Sequence, residues 1–287
     1  MQFINNNKSK FVTLTLVSLV SVCMFALLSF MPMPKGNYTL INSVSVTARF
    51  LTSDFLKSAY IINNKNQVIK YDSTGTVLSM FNEERYGKLT SIDATSPFNV
   101  LLFYKDFSTL ITTDMRLNNK RLYKLSTLGL TNVSAACLAN DNYIWVYDMN
   151  DGKLKKIDHN YQIIVQSLSL PQLLGETVEP NFLVESNGLL YMNVPNLGVI
   201  MFDIFGTFYT AISNSDLGTD QLNDFQVVDH KIVYFKDEYL FIYDIATRAQ
   251  EAIAVPSSGS AQKVRVEKGR LFMLNEDNTL NFYMQTN

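Results

Sequence analysis

The chain has 287 residues, 47% of them apolar and 17% charged, so it is long enough to bury a large core and too apolar to stay disordered. With 24 basic against 26 acidic residues its formal charge is −2, which leaves no basic stripe of the kind nucleic-acid binding needs. Nineteen Phe and fifteen Tyr, with abundant Val, Ile and Thr, favour strands over helices.

The first element is apolar. Lys8 and Lys10 precede FVTLTLVSLVSVCMFALLSF, an uncharged run from Phe11 to Phe30. Positive charge before such a run reads as an export segment. Its length exceeds the apolar region of most cleaved signals and could span a bilayer as one helix. Signal sequence and retained signal anchor therefore both stay open for residues 1–35, and the exported domain is expected over 36–287. The expected location is the cell envelope, on the periplasmic side of a membrane or on the outer surface. The protein would be membrane-anchored through residues 11–30 if these are uncleaved, or secreted. Val22 before Cys23 and the apolar MFALLSF after it argue against lipidation. Cys137 then has no partner in the exported domain, and no intrachain disulfide framework is expected.

Beyond the leader a unit recurs. QVIKYDSTGTVLSMF, residues 67–81, reads as two short strands about a turn. Related stretches begin at Thr109, Lys153, Gly198 and Tyr239, and a truncated one at Thr279. Their aligned aspartates are Asp72, Asp114, Asp158, Asp203 and Asp244, with Met284 in the sixth place, so the spacing runs 42, 44, 45, 41 and 40 residues. A period of this length carrying several short alternating strands is the signature of propeller blades. Residues 225–255 show one blade in full: FQVVDH inner, KIVYFKD second, YLFIYD third and EAIAV outer. The second strands, from AYIINN to RLFML, are apolar enough to be buried on both faces, which assigns Trp145 to the core. An aspartate recurring once per blade at the end of the third strand, with Gly75 or Gly206 three residues on, reads as a turn cap rather than a catalytic group.

The last copy ends on its third strand, while TLINSVSV near the start has strand composition and no blade of its own. Residues 39–46 are therefore expected to complete blade 6 and join the two ends of the ring. The predicted fold is all-β: a six-bladed propeller of four-stranded antiparallel blades, closed by an N-terminal strand and preceded by one apolar helix.

Stretches such as NVLLFYKDFSTLITTDMRL, with the exported start, resemble exported propeller proteins of the Bacteroidota cell envelope, a resemblance that covers residues 39–287. The repeated tryptophan-aspartate ending, the YWTD tetrad and the SPDG-type motif of other propeller groups are absent, so their functions are not implied. The chain also resembles six-bladed lactonase-like hydrolases in size. That resemblance implies a calcium in the channel held by Glu, Asn and Asp, with a His base. Against it, His159 and His230 fall in turns on the rim opposite the usual binding face, and HExxH, GxSxG, Gly-rich phosphate loops and CxxC are all missing.

Charge placement is more informative. Loops entering each blade share one face with the turns between second and third strands. The long ones carry Glu83, Glu84, Glu176, Glu179, Asp216, Asp220 and Asp224. Adding Asp106, Asp151, Asp237, Glu238, Glu276 and Asp277 gives thirteen acids against five bases, a formal −8 on that face. Such a face could steer a basic partner or hold a hard cation, and it could equally be a solvated surface. The expectation is a non-enzymatic envelope module that binds a protein or glycan partner through this face and needs no cofactor, calcium being the open possibility. A calcium-dependent lactonase-like hydrolase and a structural scaffold subunit of a membrane assembly are the alternatives.

Overall fold

The computed structural model describes residues 36–256 and 261–286. The apolar segment 11–30, and with it the expected preceding helix, lies outside the described residues. Among those described, the α-helix is the five-residue Leu170–Leu174, and no helix is long and apolar enough to cross a membrane.

Six four-stranded antiparallel sheets follow one another along the chain. Blade 1 runs Ala48–Ser53, Ala59–Asn63, Val68–Tyr71 and Val77–Phe81 from inner to outer strand. The inner strands of blades 2 to 6 are Ser91–Asp93, Val133–Leu138, Phe182–Ser186, Gln226–Val228 and Ala261–Glu267. In blade 6 the outer position is held by Tyr38–Ser45, paired antiparallel with Thr279–Gln285 from Tyr38↔Gln285 to Ser45↔Thr279. Sequence reasoning put this strand at 39–46. The start is stitched at two further points: Gly36 N–H donates to the Ala254 carbonyl (3.2 Å) and Thr286 N–H to the Asn37 carbonyl (2.8 Å).

Period-2 alternation explains the core. Side chains of successive strand residues point to opposite faces, so Tyr60 and Ile62 pack toward blade 2 while Ala59 and Ile61 pack toward blade 6. Repeating this in every second and third strand builds an apolar layer at each blade boundary, six in all. Trp145 is wholly buried in the layer between blades 3 and 4, as its strand composition predicts. Each Leu, Ile or Phe so covered contributes roughly 1.5–3 kcal/mol, which makes blade stacking the main source of cohesion.

Candidate functional site

The repeated aspartates cap turns. Asp72 Oδ1 accepts the N–H groups of Thr74 (2.8 Å) and Thr76 (2.9 Å), and Asp114, Asp158 and Asp203 take the same i+2 and i+4 donors in their own hairpins. Asp244 accepts from Ala246 and Thr247. Blade 1 uses this device in every turn, since Asp54 accepts from Leu56 and Ser58, and Asn63 from Lys65 and Gln67. A short carboxylate or amide mimics a backbone turn in this way. These residues are architecture.

The seven loop-face acids separate into two groups. Glu83 is buried and bound by Arg85 (2.6 Å) and Lys120 (2.8 Å), which bring its carboxyl down to about 2. Asp216 takes the N–H (3.0 Å) and hydroxyl (2.6 Å) of Ser213, and these bonds hold it below the usual carboxylate range. Asp224 is ion-paired with Arg265 and, at 3.2 Å, with Lys263. Burial pushes Asp224 up, but the two cations outweigh it and the net shift is downward. These three carboxylates are committed within the fold. Glu84, Glu176, Glu179 and Asp220 are exposed, and of these only Glu176 and Glu179 border one cavity.

That cavity, about 490 Å³, sits on the loop face. It lies among Thr90, Lys105, Ser134, the loop entering blade 4 and the turn 195–197. The entering loop is shaped by the short helix, which has Pro171 in its first turn and ends at Gly175 with φ +79°. On the other side, Gly198 closes the 195–197 turn at φ +125°, where a Cβ would lie 2.2 Å from the Ile212 carbonyl oxygen. Only glycine fits there.

A larger cavity, about 760 Å³, opens at the opposite end of the channel, at the turns between inner and second strands. All six blades contribute: Thr52, Ser96, Asn140, Ser186, Gln226 and Arg265 stand one to each. Its wall is tied together by polar side chains that cross blade boundaries. Asp93 accepts from Leu138 N–H (2.7 Å) in the next blade. Glu185 accepts from Asn140 N–H (2.9 Å) and Trp145 Nε1–H (2.7 Å) in the preceding one, and Gln226 accepts from Val266 N–H (2.8 Å). Burial pushes Asp93 up. At the rim, Phe55 and Phe98 are 40% and 62% exposed with ring centroids 6.1 Å apart. Lys268 lies 5.4 Å from the Phe55 ring. Asp229 and Glu267 line the same mouth, and burial raises Glu267.

Sequence reasoning missed this end of the channel because its clasps join residues 40 to 45 positions apart. The visible signal was a carboxylate or amide side chain within an inner strand: Asp93 in SIDATS, Glu185 in FLVES and Gln226 in FQVVDH. His159 packs edge-on against Tyr143 in its turn, and His230 is exposed in the turn next to Asp229. Cys137 is buried on the inner strand of blade 3 opposite Trp145, and burial raises its thiol far above the usual range. Among the described residues, no three His, Cys, Asp or Glu side chains group as metal ligands.

No protein-family profile matches the chain, and no curated protein matches it. Solved structures do. A catalytically inactive virginiamycin B lyase from Staphylococcus aureus, solved with quinupristin, aligns with a TM-score of 0.58 at 11% identity, covering 87% of this chain and 100% of that one. A streptogramin B lyase gives 0.55 at 12% identity, covering 88% of each. A WD40 domain from Neurospora crassa gives 0.55 at 10% identity, covering 89% of this chain and 98% of that one. At such identities the likeness is one of fold: the chain is an all-β propeller of six four-stranded blades.

Proposed function

We propose that the chain is a non-enzymatic binding module of the cell envelope that takes a neutral glycan across the mouth of its channel. One observation carries this reading: the buried charges of the inner wall are engaged with neighbouring blades, so hydroxyl and amide groups make up most of the polar lining left toward the cavity, with Asp229 and Glu267 at one side of the mouth. Asp93, Glu185 and Arg265 are held internally, while Thr52, Ser96, Asn140, Ser186 and Asn187 border the opening beside two exposed phenylalanine rings. Aromatic faces receive the C–H side of a sugar ring, and amides and hydroxyls serve its alcohols as donors and acceptors.

The test is an oligosaccharide array with the full-length protein in detergent, followed by calorimetry on the ligands found. Phe98→Ala and Asn187→Ala should each weaken binding about tenfold, the cost of one good contact. Failure to bind any neutral oligosaccharide would overturn the reading.

An enzymatic reading draws on Glu267, a carboxyl raised by burial at the channel mouth, and on structural likeness to lyases. A group of this kind suits proton transfer. It would require turnover that disappears in Glu267→Gln while glycan binding persists. The envelope location carries its own test: the native protein should stay with membranes in high salt and carbonate and leave them in detergent, since ~20 apolar residues outweigh screened charge attraction. An amino terminus found between residues 25 and 38 would replace the anchor with a cleaved signal.

A further inference from the structure

We propose that glycan binding at the channel mouth is coupled to the uptake of a proton by Glu267, so that acid tightens binding and neutral pH loosens it. The inference deepens the glycan reading above and rests on it. Three carboxylates line this cavity, and they differ in how they are held. Glu185 is buried and takes two N–H donors from blade 3. Asp229 is exposed in its turn. Glu267 lies between these cases: it is half-buried, and among the described residues no hydrogen bond or ion pair holds it. Its remaining partner is water at the mouth. A neutral ligand seated there displaces that water and brings no charge in return, which disfavours the carboxylate. The protonated acid escapes this cost and gains an O–H donor for a sugar hydroxyl. Ligand and proton therefore bind together, each raising the affinity for the other.

No cation is bound to Glu267 to prevent this. Lys268, next in the chain, lies 5.4 Å from the Phe55 ring. Arg270 stands opposite Glu267 in the strand pairing, but its Nε and Nη1 are buried without an acceptor. Arg265, two residues earlier, is bound to Asp224. Blade 1 brings Asp54 and Lys57 near, and blade 5 brings Asp229, which His230 follows in the turn. Burial is the largest influence and raises the Glu267 carboxyl. Asp54 and Asp229 add to it, while Lys268 and Lys57 oppose it. The free protein thus already leans the way a ligand would push it.

The test is calorimetry on the full-length protein in detergent with three neutral probes: maltotriose, cellotriose and tri-N-acetylchitotriose. Each is titrated at pH about 5 and about 8, on either side of a raised carboxyl. The wild type should bind its preferred probe about three- to tenfold more tightly at the lower pH, since each unit by which the ligand raises the carboxyl is a factor of ten. Glu267→Gln should bind equally at both, near the wild type's acidic affinity. His230→Gln should keep the wild-type dependence, because an exposed imidazole beside Asp229 is not the group invoked. The proposal falls alone if a probe binds the wild type equally at both pH values or more tightly at the higher, or if Glu267→Gln keeps the wild-type dependence. It falls together with the glycan reading if no probe binds either form at either pH. Should Glu267→Gln fail to fold, carbon-detected NMR of the Glu267 carboxyl in the wild type reads the same coupling. Its titration midpoint should move up when the preferred probe is saturating, and an unmoved midpoint overturns the proposal.

Discussion

The channel wall and the outer hairpin turns both rely on carboxylates, and they use them in opposite ways. In the turns, Asp72 and its counterparts accept hydrogen bonds from groups two to five residues ahead, so these bonds begin and end within one hairpin. In the wall, Asp93 keeps one oxygen on Thr95 of its own turn, but its other oxygen and both oxygens of Glu185 reach into the next or preceding blade, and these bonds fix one blade against another. A repeat protein needs both kinds of contact. Turn caps make a blade, and boundary clasps with the apolar layers make a ring.

The largest loss should follow removal of the strand whose pairing spans nearly the whole chain. Deleting residues 39–46 exposes the third strand of blade 6 and strips Val44 and Val46 from the layer between blades 6 and 1. The thermal midpoint should fall by more than ~10 °C. An unchanged midpoint would show that the pairing contributes nothing to the ring. Next in size is Glu185→Leu, which leaves Trp145 Nε1–H and Asn140 N–H without their acceptor. Chemical denaturation should show a loss of about 2–4 kcal/mol, since buried donors lose their partners.

Glu83 gives the fold a dependence on pH. Arg85 and Lys120 hold its folded carboxyl at about 2, below its ordinary 4.5. Protons therefore bind the unfolded chain first: the contribution is complete above the ordinary value and drains away as pH falls from there toward 2. The wild type should lose thermal stability over that window faster than Glu83→Gln, and parallel curves would remove Glu83 from the account. The smallest effect belongs to the turns. Asp72→Ala loses bonds to Thr74 and Thr76 in an exposed hairpin where water can replace them. It should cost about 0.5–1 kcal/mol in the same denaturation experiment, well below Glu185→Leu. Equal losses from the two would erase the distinction.

This distinction also accounts for what could be read in advance. The Asp72, Asp158, Asp203 and Asp244 turns were legible because donor and acceptor lie within four residues of each other. The blade order was legible because strand alternation and its 40 to 45 residue period are written along the chain. The loop-face acids were harder. Counting charge treated Glu83 and Asp224 as free, yet their partners Lys120, Lys263 and Arg265 lie 37 to 41 residues away, about one repeat. A residue's nearest neighbours in a propeller sit one period distant, and composition within a loop does not register them. The channel-mouth cavity was hidden for the same reason, because its lining is divided among six separate blades, two to five residues from each.

The pairing of Tyr38–Ser45 with Thr279–Gln285 imposes an order in time. Asn37 and Thr286, which bond beside it, are 249 residues apart. At ~5–20 residues per second, synthesis of that interval takes on the order of 10–50 s. Until then the first strand carries an edge with no partner, while blades 1 to 5 can already stack on one another. Such an edge invites pairing with other chains, so a nascent molecule is safest if this segment is kept extended or occupied. A ribosome that stalls before residue 279 leaves an open arc with two unmatched faces, and circular closure thereby becomes a readout of whether translation reached the final blade.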